Sequence, residues 1–265
     1  MQMNFVKKLI KSAEEKNSIV CLGMDPVLEE IPINEQSPSK KIVKFYSDII
    51  EATHDSIGAV KPNYAFFAQY GFPGLRALKK VISVCKNKKL PVILDAKRGD
   101  IGKSSAAYAK EVFEFWKADA VTISPFMGKD SVEPFIKYCG KGKGVYILTR
   151  TSNPGAADLQ DYQKTAAKVK EWHTEGVGAV VGATNVAELK EINEIFDGKM
   201  PLLIPGVGAQ GGSAKEIVEA LGENIKLHRI NSSSGINYVY KKQDTDDYAG
   251  AAAKAVKELN GEIGI

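Results

Sequence analysis

The chemistry-bearing residues of this chain concentrate in one short stretch, Val92-Ile-Leu-Asp-Ala-Lys-Arg-Gly-Asp-Ile101, where an apolar run ends in alternating charges. Residues 92–94 read as a buried strand, with Asp95 and Lys97 at its carboxyl end. Residues two apart on an extended chain point to the same side, so an acid and an amine project together from a strand tip. Asp100 adds a second acid one turn later. Such a layout sets a cationic proton donor among carboxylates, although a surface ion pair would use the same residues. Lys61 supplies a second amine, since it follows an apolar run and precedes a proline. That placement directs it into the same mouth, while a lysine at a strand end also snorkels to water. Asp25, ahead of Pro26, reads equally as a site acid and as a turn residue.

A second kind of chemistry lies toward the C-terminus. Pro205-Gly-Val-Gly-Ala-Gln-Gly-Gly212 offers backbone N–H groups unobstructed by side chains, just before a helix starting near Ser213. Phosphate oxygens accept such hydrogen bonds and sit favourably at a helix N-terminus. A flexible loop with capping residues would have the same composition. The run Asn231-Ser-Ser-Ser-Gly235 follows the next apolar segment, which matches the usual phosphate site of a barrel. The glycines do not fit a dinucleotide fingerprint, which belongs after the first strand of its fold.

The elements that must position these groups are legible as short apolar runs separated by amphipathic stretches. Strands are expected near 19–24, 58–62, 92–95, 118–124, 144–149, 179–182, 202–206 and 226–231. Apolar residues recur at three and four positions over 40–53, 74–85, 103–116, 130–138, 161–173, 186–196 and 213–221, which marks helices with one buried face. Repeated strand–helix units predict an α/β chain closed into a (β/α)8 barrel. No Pro/Ser-rich linker divides residues 1–265, so one domain is expected. Barrel enzymes place their chemistry at the carboxyl ends of strands. Asp25, Lys61, Asp95, Lys97, the 150–155 segment and both phosphate candidates all fall there.

Composition excludes several other classes. Hydrophobic content of 44% and charged content of 26% are ordinary for a folded soluble protein. The net charge of +4 is spread along helices, which argues against nucleic acid as a partner and suits a small anion. Cys21, Cys85 and Cys139 lie far apart with no zinc-ligand spacing, as expected of reduced cytoplasmic thiols, and no metal site is expected. His54, His173 and His228 are isolated, with His228 inside the eighth strand. Tyr64, Phe66 and Phe67 read as packing residues, of which one ring has the option of flanking a planar substrate. No run is long enough to cross a bilayer, and residues 1–12 lack the continuous apolar core of a signal peptide.

Lys61, Asp95-Ala-Lys97, Asp100-Ile101, Ser152-Asn-Pro-Gly155 and Pro205-Gly-Val-Gly-Ala-Gln210 together resemble the orotidine 5′-phosphate decarboxylase family, in that family's order. Residues 94–102 look like its longer subgroup. The Asp-x-Lys-x-x-Asp element is also found in related sugar-phosphate barrel enzymes. The resemblance implies decarboxylation of orotidine 5′-monophosphate to uridine 5′-monophosphate without metal or organic cofactor, by a homodimer with sites at its interface. Lys97 would protonate C6, Asp95 would lie near the departing carboxylate, and Lys61 would complete a Lys-Asp-Lys-Asp array. Asp100 and Ile101 would reach into the partner's site. Asp25 and Lys61 would hold the ribose hydroxyls, Ser152 the pyrimidine, and Gln210 the phosphate, with Pro205, Gly206, Ser234 and Gly235 lining the nucleotide. The family usually carries an arginine just after strand 8, where this chain has Ser234. Arg229, within the eighth run, is not expected to substitute. Two other readings remain: a metal-dependent sugar-phosphate lyase or decarboxylase on the same barrel, and a non-catalytic nucleotide-binding barrel.

Overall fold

Each apolar run forms a strand that is buried on both faces, and each amphipathic stretch forms a helix that covers it. A computed structural model describes residues 3–207 and 213–264. Its strands are β1 (Val20–Met24), β2 (Ala59–Pro62), β3 (Ile93–Arg98), β4 (Ala120–Ile123), β5 (Gly144–Arg150), β6 (Val177–Val181), β7 (Leu202–Pro205) and β8 (Arg229–Ser232). They pair in parallel in the order β2-β1-β8-β7-β6-β5-β4-β3. Bridges Val60↔Val92 and Asn63↔Asp95 bring β2 beside β3 and close the ring. The result is the expected (β/α)8 barrel. Residues of β1, β2, β4 and β6 are buried throughout, as parallel strands covered by helices must be.

The helices are α1 (Phe5–Lys16), α2 (Pro38–Thr53), α3 (Tyr64–Ala68), α4 (Gly71–Asn87), α5 (Gly102–Lys110), α6 (Lys129–Ile136), α7 (Tyr162–Glu171), α8 (Val186–Ile195), α9 (Ala214–Leu221), α10 (Ser234–Asn237) and α11 (Tyr248–Ile263). Side chains of Asn4, Ser37, Asp161, Asn185, Ser213 and Asp247 accept hydrogen bonds from first-turn N–H groups, which fixes where six of them start. Three differences from the sequence expectation stand out. Residues 226–227 belong to a 3₁₀ segment, Gly222–Leu227, so His228 precedes β8 instead of lying within it. The helix expected over 103–116 widens after Lys110 into a π-turn, Glu111–Phe115. The helix expected after the eighth strand, for which the sequence suggested no bounds, is α11; its Tyr248 ring packs 5.1 Å from Phe45 of α2.

Alternate strand residues face the barrel axis. At the amino ends of the strands Cys21, Ala59, Ile93, Ala120 and Tyr146 pack together beneath Val180 and Leu203. Phe5 and Leu9, one turn apart on α1, join that cluster from below, so the first helix plugs the barrel. Burying each such side chain contributes about 1.5–3 kcal/mol. The Phe5 ring meets Tyr146 edge-on at 5.9 Å. A Cβ on Gly144 would come within 2.1 Å of the Phe5 ring, so only glycine leaves room for the plug. Arg229 is fully buried at this same end. Its guanidinium donates to the main-chain carbonyls of Leu9, Gly58, Lys226 and His228. Arg229 therefore serves the floor of the barrel, as expected of a residue not available at its mouth.

Candidate active site

The same alternation that fills the floor with apolar groups turns polar one layer higher. Lys61 from β2, Asp95 from β3 and Thr122 from β4 face one another, all buried. Lys61 Nζ donates to Asp95 Oδ2 at 2.8 Å, and Lys97 Nζ donates to Asp95 Oδ1 at 2.7 Å. The Lys61 side chain is enclosed whereas that of Lys97 is 50% exposed, so Lys97 is the member of the array that faces the open mouth. Burial works against the charge of Asp95, but attraction to Lys61 and Lys97 outweighs it and holds the carboxyl well below the usual range. Burial likewise opposes protonation of Lys61, and the charges of Asp95 and Asp25 more than compensate, raising its pKa.

Lys97 reaches Asp95 by a route that regular alternation does not provide. The β3–β4 register steps from Leu94↔Val121 to Arg98↔Ile123, and within that bulge Lys97 has φ +44°. Pairing resumes at Arg98, whose carbonyl accepts the Ser124 N–H at 2.7 Å. The Arg98 guanidinium donates to both carboxylate oxygens of Glu111 and lies 4.4 Å and 4.7 Å from the Tyr64 and Tyr108 ring centres. The π-turn thus carries the residue that clamps the bulge on its outer side. Tyr64 packs on that cation, Phe67 is core, and Phe66 is the ring of the three that reaches the cavity.

A cavity of about 640 Å³ opens over the array. Leu148, Val180 and Leu203 form its apolar floor, and Asp25, Ser152, Pro205, Gly206 and Ser234 line its walls. The Asp25 carbonyl accepts the Tyr238 hydroxyl at 2.9 Å, while its Oδ1 is buried with no hydrogen-bond partner among the described residues. Ser152 is held close to β6, because a Cβ on Gly182 would fall 2.8 Å from its Cα. Gln160 Oε1 accepts the Thr151 N–H at 2.8 Å and fixes the base of that loop. Gln210 lies outside the described residues. Gly235, next to Ser234 at the start of α10, does not line the cavity. Neither do Asp100 and Ile101: Asp100 accepts the Ile101 N–H at 2.8 Å, and Ile101 is 55% exposed. Lys241, near the rim, pairs with Glu30 at 3.4 Å. Among the described residues no three His, Cys, Asp or Glu side chains gather as metal ligands.

Asn231, the first residue of the expected phosphate run, also lines the cavity, as do Thr122 and Asn63, to which sequence reasoning assigned no role. For Thr122 a signal existed: in Ala120-Val-Thr-Ile123 it is the polar residue in phase with the inward-facing Ala120.

The fold and this cavity define a barrel enzyme whose charged groups stand at the carboxyl ends of its strands. A family model described as "Orotidine 5'-phosphate decarboxylase / HUMPS family" matches residues 18–237. A protein of Dechloromonas aromatica named orotidine 5′-phosphate decarboxylase is 42% identical over 275 residues, covering 99% of both chains. A structure of Leishmania donovani OMP decarboxylase matches with TM-score 0.81 and 33% identity over 99% of this chain and 100% of that one. A structure of Leishmania donovani UMP synthase matches with TM-score 0.83 and 35% identity; it covers 99% of this chain, which spans 57% of that longer one. The chain belongs to the orotidine 5′-phosphate decarboxylase / HUMPS family.

Proposed function

We propose that Lys97 protonates C6 as this family member decarboxylates orotidine 5′-monophosphate to uridine 5′-monophosphate, the closing step of pyrimidine nucleotide synthesis. The observation that carries the reading is the Lys61–Asp95–Lys97 array on the wall of a cavity of nucleotide size, with Lys97 its most exposed member. When the bond from C6 to the carboxylate breaks, its electron pair stays on a ring carbon that cannot delocalise it, and carbon dioxide departs. A fixed ammonium stabilises that charge without reorganising, then passes its proton to C6. Asp95 sits where it holds Lys97 and faces the leaving carboxylate. The apolar floor of Leu148, Val180 and Leu203 suits the uncharged carbon dioxide better than the carboxylate it comes from.

Asp25 and Lys61 bind the ribose, Ser152 the pyrimidine, and Pro205, Gly206, Gln210, Ser234 and Gly235 the phosphate end. Phosphate binding then supplies energy for ordering the site and excluding water. Asp100 and Ile101 serve the partner's site in a homodimer, which fits their position outside their own cavity and the exposure of Ile101. The residues 1–265 act as one domain, in the cytoplasm, with no metal or organic cofactor. Among the described residues no helix is long and apolar enough to cross a membrane.

The test is a spectrophotometric orotidylate assay in excess chelator, run on the native chain and on Lys97→Ala. Undiminished turnover in chelator is expected. The rate loss in Lys97→Ala should exceed the 10²–10⁴-fold typical of general acid–base catalysis, because the same group supplies electrostatic stabilisation. A folded Lys97→Ala protein with near-native turnover overturns the assignment. Activity that chelation abolishes and magnesium restores favours the sugar-phosphate lyase reading. Tight uridine monophosphate binding without turnover favours the non-catalytic one.

A further inference from the structure

We propose that Thr122 is a positioning residue for the decarboxylation, its hydroxyl holding Asp95 and the Lys97 backbone in the single arrangement that presents the ammonium to C6. The proposal rests on the role assigned to Lys97 above. Between Leu94↔Val121 and Arg98↔Ile123, the three residues Asp95, Ala96 and Lys97 face one residue of β4, Thr122. A hydroxyl has one donor and two acceptor lone pairs, and here all three are used. Thr122 Oγ1 donates to Asp95 Oδ1 at 2.9 Å and accepts the N–H groups of Ala96 at 3.1 Å and Lys97 at 3.0 Å.

The geometry explains why the bulge is possible at all. A lysine with φ +44° lies in a region that residues other than glycine rarely occupy, so it persists only where its surroundings over-determine it. Two successive N–H groups displaced from a ladder also need an acceptor, because buried donors left unpaired are costly. Thr122 is 1% exposed, so water does not substitute for it. Its donor bond falls on Oδ1, the same carboxylate oxygen that receives the Lys97 ammonium. The hydroxyl therefore ties the backbone and the side-chain partner of Lys97 to one point on the neighbouring strand.

Thr122→Val preserves shape and removes the hydroxyl; Thr122→Ser preserves the hydroxyl. Kinetics of both are compared with Lys97→Ala at a temperature well below each melting point. A small misplacement of reacting groups costs on the order of 10²-fold. Thr122→Val is thus expected to lower kcat by about 10–100-fold with KM within roughly threefold, and Thr122→Ser to stay within about threefold of native in both. Native kcat in Thr122→Val, a serine variant as impaired as the valine one, or a loss confined to KM would each overturn the proposal. Turnover retained in Lys97→Ala defeats the underlying Lys97 assignment. Lost turnover there beside native kcat in Thr122→Val defeats the positioning role alone. Should valine prevent folding, Thr122→Ala against Thr122→Ser carries the same contrast, with equal kcat as the overturning result.

Discussion

At the scale of single residues, Ser234 is the position where this chain departs from what its family resemblance leads one to expect. It lines the cavity and is exposed, and by the resemblance it takes the place of an arginine that would grip the phosphate. Arg229 does not compensate, since its guanidinium is spent on carbonyls at the opposite end of the barrel. A guanidinium offers two parallel charge-assisted hydrogen bonds that a serine hydroxyl cannot reproduce. Such contacts contribute roughly 1.5–3 kcal/mol, or about one to two orders of magnitude in affinity. Ser234→Arg is therefore expected to tighten uridine monophosphate binding by about 10–100-fold while leaving uridine unchanged, as titration calorimetry with both ligands would record. Equal effects on nucleotide and nucleoside would mean that position 234 does not face the phosphate. Lys61, Asp95 and Lys97 were legible in sequence because charge at the end of an apolar run is conspicuous. Thr122 was not, because threonine is an ordinary strand residue and its role depends on a partner 25 positions earlier.

At the scale of elements, burial patterns carried most of the architecture, and the misses have local causes. The bulge in β3 and the π-turn after α5 arise from pairings across space, Thr122 with Lys97 and Glu111 with Arg98, which periodicity does not encode. The helix α11 is rich in alanine and glycine, so its apolar face stands out weakly until it is packed on α2. The misplacement of His228 has an energetic consequence. Its Nδ1 accepts the Leu202 N–H at 3.1 Å, and burial, reinforced by the nearby Arg229 charge, lowers its pKa from 6.5 to about 3. Between those values the unfolded chain holds a proton that the folded chain does not. Stability therefore rises with pH over that window, and acidification below about 6.5 erodes it by up to roughly 1.4 kcal/mol per pH unit. His228→Asn keeps an acceptor for Leu202 and removes the titration. Urea midpoints from pH 6.5 to 4.5 should fall less steeply in the variant, and parallel slopes would refute the account.

For the molecule as a whole, four of the exposed large apolar residues follow neighbouring strands at the end that carries the cavity. Ile101 comes after β3, Phe126 and Met127 after β4, and Leu159 after β5; Phe126 and Leu159 are each 82% exposed. Exposed apolar residues are often found at interaction surfaces, and the dimer proposed above, with residues shared across its sites, would cover them. Lys97→Ala and Asp100→Ala chains, each inactive alone, should then complement when mixed. A mixed dimer holds one site with both defects and one with neither, so recovery should approach one native site per heterodimer. Heterodimers that form and stay inactive would return Asp100 to its own chain's site. The plug at the other end matters in a different way, to the order in which the chain is made. Helix α1 leaves the ribosome before the strands it plugs, yet Leu9 meets Arg229 across 220 residues. At about 5–20 residues per second, roughly 10–45 s of synthesis separates the two. Throughout that interval Phe5 and Leu9 have no barrel to enter. The nascent protein thus carries a greasy amphipathic helix without its socket until its last strand arrives, and that is when it most depends on protection from its neighbours.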